Sequence, residues 1–268
     1  PFTKGEELTV AYLKNEFQKM GLEPGNGDSY FQEVPMIEIM GTPSGDMEIQ
    51  FKNKMTHLSF PDEFVASSLR ISEEIIVEES PLVFAGYGIV APEYEWNDYE
   101  GLDVSGKTVV VLINDPGFAT RQETLFKGKA MTYYGRWTYK YEEAARQGAK
   151  ACIIIHETDA AAYGWGVIEN GFTGANLVLE SEDNYMSRCA MEGWISSSAA
   201  IQLFSDAGLD FKTEKDKAAR HTFKAFPFEA TVSVSIKNEF TYNNSKNVMA
   251  LLKGTDLRDE CIVYTAHW

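Results

Sequence analysis

The chain has 268 residues, 44% of them hydrophobic and 13% aromatic, with 24 basic against 40 acidic side chains and a net charge of −16. That length accommodates one large domain or two of ordinary size with a substantial core, and the composition argues against global disorder. The acidic balance argues against nucleic acid and anionic membrane surfaces as partners, because both reward clustered Lys and Arg. No stretch approaches the roughly 20 apolar residues of a membrane span.

In chain order, Thr3 and Glu6 have the spacing of a capping box. Leu8, Tyr12, Phe17 and Met20 then recur at helical intervals up to Gly21, a natural C-terminal stop. The expectation is a helix over residues 5–20 with that stripe in the core. Residues 34–39, 47–51 and 57–60 read as short strands between Gly, Pro and Asp turns. From Pro81 the texture changes: 82–90 is a glycine-punctuated strand and 108–114 a continuous apolar one. Residues 139–147 read as a helix closed by Gly148, 150–155 as a buried strand, and 197–207 as a helix ahead of Gly208. The polar segment 210–220 has helix-forming composition. Residues 230–240 set Val232, Val234 and Ile236 against Thr231, Ser233, Ser235 and Lys237, the period of a half-buried strand. Residues 246–252 and 261–265 follow as strands. The last, with Ile262, Val263 and Tyr264, reads as a buried strand that presents His267 at its carboxyl end, where ligands gather in open α/β sheets.

The candidate chemistry is sparse. Cys152, Cys189 and Cys261 are odd in number and widely spaced, so they suit neither a disulfide framework nor a zinc knuckle. Cys152 and Cys261 read as small buried hydrophobes. Gly86-Tyr-Gly88 lacks the third glycine of a phosphate loop and opens no helix, which leaves a turn. No Gly-x-Ser-x-Gly nucleophile elbow occurs. His156-Glu157 lacks the second His of a zinc helix, since position 160 is Ala, so His156 reads as structural; His57 and His221 read as ordinary. Asp98, Asp103 and Asp115, with Glu93 and Glu95, read as a solvated acidic loop whose spacing fits no EF-hand. Residues 131–139 hold five large apolar side chains and one Arg. Tyr133, Tyr134, Arg136 and Trp137 are therefore candidates for lining a peptide-binding surface, since Tyr, Trp and Arg dominate contact hot spots. Packing between domains is the alternative.

Two sets of residues carry a family resemblance. Asn244-Ser-Lys-Asn-Val-Met-Ala-Leu-Leu-Lys-Gly254, followed by Ile262-Val-Tyr-Thr-Ala-His-Trp268, resembles the entry to the catalytic domain of the co-catalytic zinc aminopeptidases. That family also includes glutamate carboxypeptidase and the non-catalytic transferrin receptor. Thr3-Lys-Gly-Glu6 and Tyr30-Phe-Gln-Glu-Val-Pro35 resemble its opening. The second set is Phe84-Ala-Gly-Tyr-Gly-Ile-Val90, Leu102-Asp-Val-Ser-Gly-Lys-Thr-Val109 and Lys140-Tyr-Glu-Glu-Ala-Ala-Arg-Gln-Gly-Ala149, running into Ile153-Ile-Ile-His156. It resembles a protease-associated domain.

The resemblance implies an α/β fold, the start of a mixed-sheet zinc-peptidase domain with an inserted α/β protease-associated domain. Residues 1–71 would be the first part of the peptidase domain, 72–208 the insert, and 209–268 the peptidase domain resumed. It further implies two zinc ions bridged by a carboxylate, a Glu as general base, and a peptide substrate. His267 matches a zinc ligand and Trp268 the variable residue before an orienting Asp; the other ligands and the Glu would lie beyond residue 268. A catalytic zinc takes about three protein ligands, so this stretch by itself is expected to be inactive. The alternative is a non-catalytic peptide- or protein-binding module of the transferrin-receptor kind. A start at Pro1 suggests a trimmed N-terminus, and by analogy with relatives the protein would be exported, periplasmic or extracellular.

Overall fold

In the computed structural model, which describes residues 1–257 and 259–268, the chain is a mixed α/β protein. Helix α1 (Lys4–Lys19) leads into strands β1 (Glu23–Pro24), β2 (Phe31–Pro43), β3 (Met47–Phe51), β4 (Met55–Leu58), β5 (Phe64–Ser67) and β6 (Glu74–Phe84). Then come β7 (Val90–Ala91), β8 (Trp96–Asn97), β9 (Thr108–Leu112), helices α2 (Pro116–Thr120) and α3 (Trp137–Arg146), and strand β10 (Ala151–Ile155). Helices α4 (Thr158–Ala161) and α5 (Trp165–Phe172), strands β11 (Asn176–Leu179) and β12 (Met191–Ile195), helices α6 (Ser197–Asp206) and α7 (Phe211–Ala218), and strands β13 (Phe226–Val248) and β14 (Ala250–Leu251) complete it. Two compact units result. One comprises residues 1–38, 177–180 and 241–268, the other residues 39–176 and 181–240, so the boundary falls within β2 and β13.

The larger unit is built on a mixed sheet. β6, β9, β10 and β12 lie side by side and parallel, β5 closes one edge antiparallel to β12, and β13 runs antiparallel to β6 and β3. The sequence explains this arrangement. Thr108-Val-Val-Val-Leu112 and Ala151-Cys-Ile-Ile-Ile155 are buried at every position, as befits central parallel strands covered on both faces. Val110, Leu112, Ile153 and Ile155 share a cluster with Leu203, Phe204 and Phe211 of α6 and α7. Val109, Val111, Cys152 and Ile154 face a second cluster with Tyr141 and Ala144 of α3 and Ile168 of α5. Helices therefore cover both faces, and the loops at the carboxyl ends of β9 and β10 emerge between them. β13 alternates as its sequence dictates, with Val232, Val234 and Ile236 buried.

Three glycines stop helices as expected. Gly21, Gly148 and Gly208 take φ of 76°, 81° and 74°. At each, the glycine N–H and the next N–H bond back to carbonyls of the last turn, for example Gly148 to Ala145 at 2.9 Å and Ala149 to Ala144 at 3.0 Å, the double bond of a Schellman cap.

The smaller unit joins both ends of the sequence. β1 pairs antiparallel with β14, the Met249 amide donates to the Tyr30 carbonyl at 2.7 Å, and the Ser245 hydroxyl donates to Glu6 at 2.8 Å. Helix α1 departs from expectation in which face it buries. Leu8, Tyr12 and Met20 are exposed, while Glu6 and Val10 are buried and Leu13 and Phe17 half-buried. Residues 6, 10, 13 and 17 also recur at helical spacing, and Glu6 is drawn inward by donors. Its carboxylate accepts from the Phe2 amide and from Ser245, so the capping box between Thr3 and Glu6 does not form.

A second correction concerns residues 261–265. They form no strand, and Ile262, Val263 and Tyr264 are exposed, Tyr264 by 93%. Strand preference is realised only against a neighbour that supplies backbone partners and buries a face, and among the described residues none pairs with this segment. Cys261 is accordingly exposed rather than buried, whereas Cys152 is buried as expected.

Candidate functional site

The aromatic run of the sequence folds into one cluster of the larger unit. Tyr133-Tyr134-Gly135 form a 3-10 turn, Arg136 precedes α3, and Trp137 is its first residue. Tyr134 is the centre. Its ring meets Tyr139 at 5.1 Å, Phe126 at 5.7 Å and Tyr94 at 6.5 Å, all edge-on, and Tyr94 stacks on Phe126 at 4.3 Å. Tyr133 packs edge-on against Tyr139 at 5.4 Å, and Trp137 against Tyr141 at 5.9 Å. Such edge-on contacts fix ring orientation.

The hydroxyls are fixed too. Tyr134 donates to Glu93 and Tyr133 to Glu142, each at 2.6 Å. The first bond raises the Tyr134 pKa to about 12 and lowers that of Glu93; the second raises that of Tyr133. The outer rim is open. Met131, Tyr133 and Trp137 are among the exposed large hydrophobic side chains, and Arg136 is exposed without an ion pair among the described residues. A rigid aromatic floor with an exposed Trp, Tyr and Arg rim can hold an apolar or aromatic side chain of a peptide.

Beneath this cluster lies a buried charged network that the sequence did not disclose. Lys140 has no exposed surface; its ammonium donates to the Asn114 carbonyl at 2.8 Å and sits 5.8 Å from the centre of the Tyr87 ring. Asp98 accepts from the Ile89 amide at 3.0 Å and the Trp96 indole at 2.9 Å. Asp115 accepts from the Thr132 hydroxyl at 2.8 Å and caps α2 through the Phe118 amide at 3.2 Å. Both Asp98 and Asp115 are buried, which corrects the expectation of a solvated loop; Asp103 remains exposed. The reason is local. Each carboxylate accepts hydrogen bonds from neighbouring segments, Asp98 from Ile89 and Trp96 and Asp115 from Phe118 and Thr132, which offsets the cost of burial. Burial pushes Lys140 well below the usual ammonium range, against the pull of Asp98 and Asp115, and pushes Asp98 and Asp115 upward. The available signal was position: Lys140 falls between Tyr139, Tyr141 and Ala144, the inward face of α3.

The remaining histidines have ordinary partners. His156 is buried, its Nε2 3.0 Å from the Tyr163 carbonyl. His221 packs on Trp96 at 4.6 Å, and His57 lies 3.9 Å from Glu48 across the β3–β4 pair. His267 belongs to the smaller unit, on the exposed segment that follows residue 260. Among the described residues no three His, Cys, Asp or Glu side chains come together as a metal site. The residues present therefore do not by themselves fit zinc. Nor is any described helix long and apolar enough to cross a membrane.

No family model matches the chain, and no curated protein matches it. Among solved structures it is similar to an aminopeptidase from Aneurinibacillus sp. strain AM-1, at 18% identity over 97% of this chain and 45% of that one, with a TM-score of 0.41. The chain thus spans less than half the length of that protein. A likeness of this size establishes neither the fold nor the activity.

Proposed function

We propose that this chain is the amino-terminal portion of a zinc-dependent aminopeptidase, in which a unit resembling a protease-associated domain interrupts the peptidase domain. One observation supports it above the rest: residues 1–38 and 241–268, from opposite ends of the sequence, belong with residues 177–180 to one compact unit, and the residues of the larger unit fall between those ends in the sequence. The two ends are also the stretches that resemble the peptidase domain. In this reading His267 is the first ligand of a two-zinc centre whose other ligands lie beyond Trp268, and zinc would activate water for attack on a peptide carbonyl. Tyr133, Tyr134, Arg136 and Trp137 guide the peptide. The protein would act outside the cytoplasm.

The test is release of a leucine chromogenic substrate. The protein expressed from its complete reading frame should hydrolyse it, lose activity to a chelator, and lose it by several orders of magnitude in His267→Ala. The 268-residue chain alone should be silent. Chelator-sensitive hydrolysis by the 268-residue chain, or full activity in His267→Ala, refutes the assignment of His267. A silent complete protein that binds peptides favours the non-catalytic module.

A further inference from the structure

We propose that the larger unit carries a binding site for a small aliphatic zwitterion, a free amino acid or a dipeptide, in the cavity at the carboxyl ends of β9 and β10. It is separate from the zinc reading and does not depend on it. The cavity measures about 470 Å³ and is lined by the loops that follow those strands, by the end of α2 and by the end of α7. That volume falls within the roughly 300–1,000 Å³ of small-molecule sites. The place is also where ligands bind in open α/β sheets.

Tyr87 offers the cavity a polar group. It lines the cavity yet is 4% exposed, and its hydroxyl has no hydrogen-bond partner among the described residues. The Gly86-Tyr87-Gly88 turn is built to hold it there. Both glycines have positive φ, 55° and 61°, and a Cβ at either would strike Phe223 or Val111 at 2.8 and 2.7 Å. The hydroxyl opens to the cavity, where a ligand's carboxylate would accept its hydrogen bond.

Charge selects the class. Arg121 and Arg220 line the cavity without forming an ion pair among the described residues, and so does Asp159, while Glu157 and Lys215 pair at 2.5 Å and Asp216 pairs with Lys212 at 2.8 Å. An inorganic dianion would meet Glu157, Asp159 and Asp216; a polyamine would meet Arg121, Lys215 and Arg220. A molecule with one carboxylate and one ammonium answers both signs. Its carboxylate goes to the guanidinium groups and the Tyr87 hydroxyl, where two-point recognition is strongest, and its ammonium to Asp159. Ile113, Phe118 and Ala160 supply the apolar wall for the side chain.

The experiment is calorimetric titration of the 268-residue chain with L-leucine and with L-leucyl-L-leucine, which distinguish the two sources. Controls are leucinamide, which lacks the carboxylate, 4-methylpentanoate, which lacks the ammonium, and inorganic phosphate. At least one zwitterion should saturate, and each control should bind at least tenfold more weakly. Arg121→Gln/Arg220→Gln and Asp159→Asn, all at exposed positions, should each weaken binding at least tenfold with melting temperature unchanged. Tyr87→Phe should weaken it severalfold. Absence of saturation by both zwitterions at tens of millimolar overturns the proposal. So does equal binding of any control, or unchanged affinity in the folded variants.

Discussion

Replacing Gly88 by alanine perturbs the turn that holds Tyr87, and the structure gives the size of the effect. At φ 61° an L-residue costs about 1–2 kcal/mol. The added methyl would also lie 2.7 Å from Cγ1 of Val111 and 3.1 Å from the Tyr99 hydroxyl, both buried. Val111 is fully buried within β9 and its β-branched side chain is restricted at χ1, so it has little room to swing aside; overpacking of this kind costs about 1–3 kcal/mol. Together the loss is about 2–5 kcal/mol, a large share of the stability of an ordinary domain. Urea unfolding followed by tryptophan fluorescence measures it. Gly21→Ala is the matched control, with a φ of 76° and nothing within 4 Å of the new Cβ, and should lose only the first part. Adding Val111→Ala to Gly88→Ala should remove the clash, giving a favourable coupling of about 0.5–3 kcal/mol. Equal losses for Gly21→Ala and Gly88→Ala, with additive double-mutant energies, would refute the argument.

Other consequences can be measured in the same way. Lys140 binds its proton less tightly in the folded protein than in the unfolded chain, so folding releases protons and stability from this group rises with pH, from its lowered folded value up to the ordinary 10.5. Relative to Lys140→Met, the wild-type protein should gain up to about 1.4 kcal/mol per pH unit between pH 8 and 9; a constant difference between the two would show that Lys140 does not titrate there. Glu6 behaves oppositely. Burial raises its pKa, but hydrogen bonds from Phe2 and Ser245 outweigh that and hold it below 4.5, so the stabilisation is present above 4.5 and lost as pH falls through the lowered value. Ser245→Ala should reduce that acid sensitivity and cost about 1 kcal/mol, read by melting at pH 3 and pH 6. Trp137→Ala removes one edge-on contact with Tyr141, about 0.5–1.5 kcal/mol; if the rim guides peptide in the complete enzyme, KM should rise severalfold with little change in melting temperature. A larger thermal loss with KM unchanged would assign Trp137 to packing.

The sequence disclosed what local rules decide. The uninterrupted apolar runs of β9 and β10, the alternation of β13 and the glycine stops after α1, α3 and α6 could be read because periodicity and positive-φ chemistry act within a few residues. β12 was not legible: Met191-Glu-Gly-Trp-Ile195 holds a Glu and a Gly and lacks a strand period, and it is a strand because β10 and β5 flank it. Its Gly193 sits where a Cβ would lie 2.5 Å from the Val65 carbonyl, so the residue that weakens the strand signal is demanded by the neighbour. The site was legible in part for the same reason. Contiguous Tyr133, Tyr134, Arg136 and Trp137 could be seen as a group, whereas Tyr87, Arg121, Asp159 and Arg220 are brought to one cavity only by the sheet.

The interleaving of the two units also sets an order of events at the ribosome. Helix α1 leaves the exit tunnel early, yet Ser245, which bonds to its Glu6, is made 239 residues after that Glu. At about 5–20 residues per second, roughly 10–40 s separate residue 38 from residue 241. During that interval the intervening strands and helices can assemble, while the amino-terminal segment waits with its inward face bare. A nascent chain stalled before residue 241 should hold an α1 segment open to protease and available to a chaperone, and emergence of residue 251 from the tunnel should close it.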